Sequence, residues 1–139
     1  MSIEILKNYV HGQFTTMAHG LTFDVLNPAT GSRIYSVQQA DTALMESAID
    51  SAREGFSTWA KMPPVERARI LQHAARLLRE RNDALAEVEV LDTGKPWQEA
   101  VAVDVQTGAD VIEYFANLCP SLMGEQQSVG EDFFYTRQE

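Results

Sequence analysis

Residues 21–50 read LTFDVLNPATGSRIYSVQQADTALMESAID, and the spacing of the apolar positions changes character within that stretch. Leu21 to Leu26 reads as a strand. Asn27-Pro28-Ala29-Thr30-Gly31 sets proline early and glycine late, as a tight turn requires, and Arg33 to Val37 alternates back out. From Asp41 the period lengthens: Met45, Ala48, Ile49, Ala52, Phe56 and Trp59 recur at helical spacing, with Asp41 placed to cap the first turn. The stretch therefore predicts an antiparallel ribbon leading into a helix over about Thr42 to Lys61.

Upstream, Tyr9-Val10 and Gln13-Phe14 flank His11-Gly12, which predicts a hairpin because glycine takes the positive φ of tight turns. Downstream, Pro63-Pro64 breaks the first helix and opens a second, with Ala68, Leu71, Ala75 and Leu78 on its apolar face. Arg67, Arg69, Arg76, Arg79 and Arg81 mark its other faces and read as a solvated surface. Asn82 is placed to cap a third helix, in which Leu85, Val88 and Leu91 face one way and Gly94 supplies the stop. A fourth helix is expected from about Trp97 to Leu118, ended by Pro120. Residues 121–131 read as a polar connection, and Asp132 to Arg137 as a terminal strand with an unpaired edge. Such an edge invites pairing with other chains, so the sequence is expected to be a piece of a longer protein and to self-associate when isolated.

A chain of 139 residues has the length of one ordinary domain, and 45% hydrophobic with 9% aromatic residues gives it the composition of a folded one. Twenty acidic against 11 basic residues leave a net charge of −9, which argues against nucleic acid or anionic membranes as partners. Cys119 is the only cysteine, so neither an internal disulfide nor a cysteine zinc site can form within one chain, and a reducing cytoplasm is expected. No secretory leader, membrane-spanning stretch, internal repeat or glycine-rich phosphate loop is visible.

Few residues suggest chemistry on their own. His11, His19 and His73 have no spacing that pairs them as metal ligands or bases, and Cys119 has no histidine near it in sequence. Asp92-Thr93-Gly94-Lys95-Pro96 clusters a carboxylate and a hydroxyl where a helix stops and its last carbonyls lack partners. Such a place can bind a hard cation through oxygens, but spacing alone favours the reading in which Asp92 serves a local turn and Lys95 complements the helix dipole. Asp104, Asp110 and Glu113 read as a solvated helix face.

The order Asn27-Pro28-Ala29-Thr30-Gly31, Arg67-Ala68-Arg69-Ile70-Leu71, Leu91-Asp92-Thr93-Gly94-Lys95-Pro96 and Asp132-Phe133-Phe134-Tyr135-Thr136-Arg137-Gln138-Glu139 resembles the aldehyde dehydrogenase superfamily across the whole chain. Within it, Leu91 to Lys95 and Thr107 to Ala116 look like the bacterial betaine-aldehyde dehydrogenases. The resemblance implies an α/β protein of aldehyde dehydrogenase fold, of which this is the N-terminal portion. Residues 1–120 would form the first part of the NAD-binding domain. Residues 121–139 would form a linker and the first oligomerisation strand, with the Rossmann core and catalytic domain beyond. It implies NAD- or NADP-dependent oxidation of betaine aldehyde to the osmoprotectant glycine betaine by a cytoplasmic homo-oligomer that binds potassium. Aminoaldehyde or succinate-semialdehyde oxidation is the enzymatic alternative, and a stand-alone, non-catalytic interaction module is the other.

Carried over residue by residue, the resemblance implies potassium held by the carbonyls of Val25 and Leu26 and by Asp92. It implies a substrate tunnel lined by Val103, Asp104 and Thr107, where a carboxylate would attract a quaternary ammonium. No catalytic or dinucleotide-binding residue of the family falls on these positions, and the chain alone is expected to be inactive.

Overall fold

The computed structural model describes residues 5–16, 20–121 and 126–136, with the side chains of Gln126, Gln127, Val129, Phe133 and Tyr135 outside that description. His19 lies outside the described residues. Strand β1 is Ile5–Leu6, β2 Asn8–Val10, β3 Gln13–Thr15, β4 Thr22–Leu26 and β5 Arg33–Gln38. The expected hairpin is β2 and β3, paired antiparallel through His11 at φ 53 and Gly12 at φ 75. The expected ribbon is β4 and β5. Strand β1, too short to show an alternating pattern, adds to the other edge of β5 in parallel, so the sheet runs β1-β5-β4.

Between β4 and β5 the chain turns as its residues dictate. Asn27 Oδ1 accepts from the backbone N–H of Ala29 at 2.9 Å, the Gly31 N–H donates to Asn27 O at 2.8 Å, and Gly31 takes φ 68. A bulge interrupts the ladder between Val25 and Leu26. Asp24 then faces Ser36 and Arg33 across the pair, and the Ser36 hydroxyl donates to it at 2.8 Å. That hydrogen bond and, after the opposing effect of desolvation, the Arg33 guanidinium hold the Asp24 carboxyl below its ordinary value.

The helical layer follows. Helix α1 is Thr42–Trp59, capped as expected by Asp41, whose side chain accepts from the Leu44 N–H at 2.8 Å. It ends two residues before the expected Lys61, and no residue in it is buried. Met45, Ile49 and Phe56 on its apolar stripe are 56%, 49% and 63% exposed. Helix α2 is Pro64–Glu80, opened by the double proline. Helix α3 is Asn82–Thr93, closed by Gly94 in the left-handed region at φ 74.

Asn82 is not the cap of α3. Arg81 alone separates α2 from α3, and its carbonyl already accepts from Leu85, so the start of α3 keeps intrahelical partners. The Asn82 amide is used elsewhere, donating to the Val101 carbonyl at 3.0 Å.

The fourth helix is not uniform. Trp97–Glu99 is α4, Ala100–Asp104 is π-helical, and Val105–Leu118 is α5, with a 3-10 turn over Cys119–Ser121 where Pro120 ends the helix. Helices α2 and α5 pack together most extensively. Their buried residues are Ala68 and Ala75 on one and Ala109 and Ala116 on the other, seven apart in each case. Two turns of helix separate the members of each pair, so small side chains recur along one seam and let the axes approach closely.

Two surface expectations are corrected here. Arg79 bridges helices, donating to Asp110 at 2.7 Å and Glu113 at 2.6 Å, so its guanidinium is not a free surface charge, while the two carboxylates stay open to solvent as expected. Those two carboxylates, Asp110 foremost, raise the Arg79 guanidinium further above its ordinary value. Arg67 is half-buried with its Nε out of contact with water.

Residues 121–131 are not merely a connection. Strand β6, Gln126–Val129, pairs antiparallel with β7, Asp132–Tyr135, through Gly130 at φ 65. The terminal strand therefore has a partner on one side, with Phe134 exposed on it.

Candidate functional site

The residues expected to line a tunnel converge. A groove of about 570 Å³ opens between the end of α2, the middle of α3 and the start of α5, and Val103, Asp104 and Thr107 all line it. Leu78, Leu85, Val88 and Val105 supply the rest of its aliphatic wall, Gly108 leaves room, and Glu89 contributes a second carboxylate. Sequence reading had placed Leu85 and Val88 on an apolar face, but here that face looks into the groove, leaving them 37% and 49% exposed. Glu89 was missed. The signal was present, since Glu89 lies four residues after Leu85 and so shares its face.

The π-helical segment decides how Asp104 meets this groove. A π turn holds its hydrogen bonds one residue further apart than an α turn and widens the helix, which re-aims the residues that follow. Ala100 at the head of the segment is fully buried, and the Val101 carbonyl accepts from the Asn82 side chain. Asp104 ends the segment and meets Lys95, whose Nζ lies 2.6 Å from Asp104 Oδ2 and 3.4 Å from Glu89 Oε1. The two carboxylates, with Asp104 the stronger influence, hold the Lys95 ammonium above its ordinary value against some loss from desolvation. Lys95 therefore remains a cation, and the two acids keep one net negative charge at an otherwise aliphatic groove.

Of the residues implied in potassium binding, Val25 and Leu26 end β4 and Asp92 is exposed near the end of α3. Gly94 sits against the Asn-Pro turn so closely that a Cβ there would stand 2.8 Å from Pro28 Cγ. The end of α3, carrying Asp92, is thus packed on the turn that follows Val25 and Leu26, whose ladder is broken by the bulge. The bulge disturbs the regular pairing at Val25 and Leu26, and Asp92 is an exposed carboxylate one residue before the last of α3. Among the described residues no group of three or more His, Cys, Asp or Glu side chains is arranged around a metal position. Cys119 is half-buried with its Sγ 3.5 Å from the Phe115 carbonyl, and His11 and His73 are exposed. None of the three reaches the groove.

The chain is 52% identical over 138 residues to a betaine aldehyde dehydrogenase of Vibrio vulnificus (strain YJ016), an alignment that covers 99% of this chain and 28% of that protein. The chain thus spans somewhat over a quarter of the length of the relatives it matches. Its fold superposes on the NAD+ complex of an aldehyde dehydrogenase from Bacillus cereus with a TM-score of 0.90 at 32% identity, covering 95% of this chain and 28% of the other. It also superposes on the indole-3-acetaldehyde dehydrogenase of P. syringae with NAD+ and IAA bound, with a TM-score of 0.87 at 30% identity, covering 95% of this chain and 27% of that one. The model of the aldehyde dehydrogenase family matches residues 14–139, nearly everything from the first hairpin to the last strand. With ribbon, helical layer and terminal hairpin all accounted for in this way, the chain belongs to the aldehyde dehydrogenase family, of which it represents the N-terminal portion.

Proposed function

We propose that this chain is the first part of an NAD-dependent cytoplasmic enzyme that oxidises betaine aldehyde to glycine betaine, and that its groove forms one wall of the passage by which the aldehyde enters. The observation that carries the reading is the groove itself: two carboxylates, Asp104 and Glu89, set among Leu78, Leu85, Val88 and Val103. A trimethylammonium group asks for this combination, since its methyls are apolar while its charge is spread and cannot donate a hydrogen bond. The 52% identity to a betaine aldehyde dehydrogenase supports the same substrate over an aminoaldehyde or succinate semialdehyde. The latter's carboxylate would be repelled by the acids.

When bound, NAD supplies the acceptor for the hydride that leaves the aldehyde carbon. The sequence has no glycine-rich phosphate loop, so no step of that transfer is assigned to these residues. Their part is to draw the cation in and pass it on. In the same reading residues 1–120 belong to the NAD-binding domain, and the β6–β7 hairpin belongs to the sheet that joins subunits in a homo-oligomer.

The test is NADH formation with betaine aldehyde by the product of the complete reading frame, assayed beside the 139-residue chain. Turnover by the former and none by the latter is expected. A reading frame that stops after codon 139, or turnover by the short chain that survives Cys119→Ala, would overturn the proposal.

Potassium is proposed at the junction of the Val25 and Leu26 carbonyls with Asp92, supported by the bulge and by the contact of Gly94 with Pro28. A ligand bound only to the folded state raises stability by mass action. The enzyme should therefore melt higher in potassium than in a large, non-binding cation at equal ionic strength, and Asp92→Ala should lose most of that increment. An unchanged increment in the variant would reject the site.

A further inference from the structure

The two acids of the groove are not independent. Asp104 and Glu89 come from different helices, and one ammonium joins them, with Lys95 Nζ 2.6 Å from the first and 3.4 Å from the second. Lys95 does not itself line the groove. Its backbone leaves α3 through the left-handed Gly94 and is followed at once by Pro96. Both residues restrict where Lys95 can start, so the fold fixes its approach. Asp104 is fixed from the other side by the π-helical segment. No other cationic side chain lines the groove or is paired to either acid among the described residues.

We propose that Lys95 is a specificity-determining positioning residue: paired to both acids without lining the groove, it cancels one of two carboxylate charges, and thereby sets how strongly the groove prefers a trimethylammonium compound over a neutral one of the same shape. Full cancellation would leave an aliphatic slot that cannot tell the two apart. With both charges free, the cation would be held more firmly than a passage needs. The inference rests on reading the groove as the substrate passage, and the experiment separates the two.

Choline and 3,3-dimethyl-1-butanol differ only in the replacement of a quaternary nitrogen by carbon, and neither reacts. Both are titrated into the product of the complete reading frame while the methyl resonances of Val88, Val103 and Thr107 are followed by NMR. The unsubstituted chain should bind choline more tightly. In Lys95→Met the ratio of the two affinities should rise about three- to tenfold, the Coulomb effect of one charge about 7 Å away in a medium closer to water than to a protein interior. It should also fall more steeply with added salt. Lys95→Arg should keep the original ratio. A purely structural role for Lys95 would change both affinities together, and an unaltered ratio in Lys95→Met would overturn the proposal. If the unsubstituted protein binds the two compounds equally, or neither shifts these methyls, the passage reading itself falls and this inference with it. Should Lys95→Met fail to fold, Asp104→Asn tests the same balance, because Lys95 would then face Glu89 alone and the ratio should drop to about one. A ratio that stayed at its original value would refute the charge balance.

Discussion

Replacing Gly94 with alanine measures how tightly the end of α3 is held against the Asn-Pro turn. Two costs add at this position. Gly94 has φ 74, where an L-residue with a Cβ is disfavoured by about 1–2 kcal/mol. The added Cβ would also stand 2.8 Å from Pro28 Cγ, an overlap with a rigid ring that can be relieved only by moving backbone, at a further cost of about 1–3 kcal/mol. The expected total is about 2–5 kcal/mol. For a chain between the small and medium size classes, each kcal/mol lowers Tm by about 3–5 °C, so a drop of at least about 6 °C is expected. Gly31 provides the control, since it has φ 68 but nothing within 4 Å of an added Cβ, so Gly31→Ala should show the conformational cost alone. Urea unfolding followed by circular dichroism reads both variants, with an unchanged m-value confirming that stability and not compactness has moved. In a Pro28→Ala background, Gly94→Ala should lose most of its excess over Gly31→Ala. Equal destabilisation of the two glycine variants, or no relief in that background, would refute the close approach on which the proposed cation site depends.

Three further outcomes follow from the packing and the charges. Ala75→Leu puts a large side chain into the fully buried α2–α5 seam and should destabilise the chain by about 1–3 kcal/mol in the same urea assay, while Ala74→Leu, on the half-buried neighbouring position, should be better tolerated. Asp24 has its carboxyl held below 3.8 in the fold, so its contribution is present above that pH and is lost as pH falls through the folded value. Asp24→Asn should accordingly lower Tm at neutral pH, and a melting series should show the difference from the unsubstituted chain closing in acid. Finally, Met45, Ile49 and Phe56 on α1 and Phe134 on β7 leave apolar surface open, so the isolated chain should self-associate in light scattering below about a millimolar. Phe134→Lys should weaken that association if the outer edge of the hairpin carries it.

The parts of the fold that were legible in the sequence are those where one residue type answers a local backbone demand. Gly12, Gly31 and Gly94 sit at positive φ where turns and a helix end were expected, Asp41 caps α1, and Pro63-Pro64 opens α2. The π-helical segment was not legible, because Ala100-Val101-Ala102-Val103-Asp104 suits an α-helix equally well and the widening is settled by what surrounds it. Asn82 was misread for a related reason. Its amide fits a cap, but a carbonyl freed nineteen positions away claims it. Strand β6 is polar and gave no alternating signal, so its pairing with β7 was invisible. At the groove, Val103, Asp104 and Thr107 came from family resemblance and not from spacing, and the structure then set them beside Glu89, with Lys95 reaching Asp104 from the connection after α3.

The π-helical turn has one more implication, for insertions and deletions. Such a turn is an α-helix carrying one surplus residue, so deleting the exposed Ala102 would let the regular ladder run unbroken from Trp97 to Leu118. The wide turn absorbs that residue, so its removal would leave the segments on either side facing as they do now, and Lys95 would keep its approach to Asp104. The same deletion within the regular α5 would turn everything before it by about 100° relative to everything after it. One residue can therefore be lost from this helix at the π turn without separating the groove from its charges, and not further along.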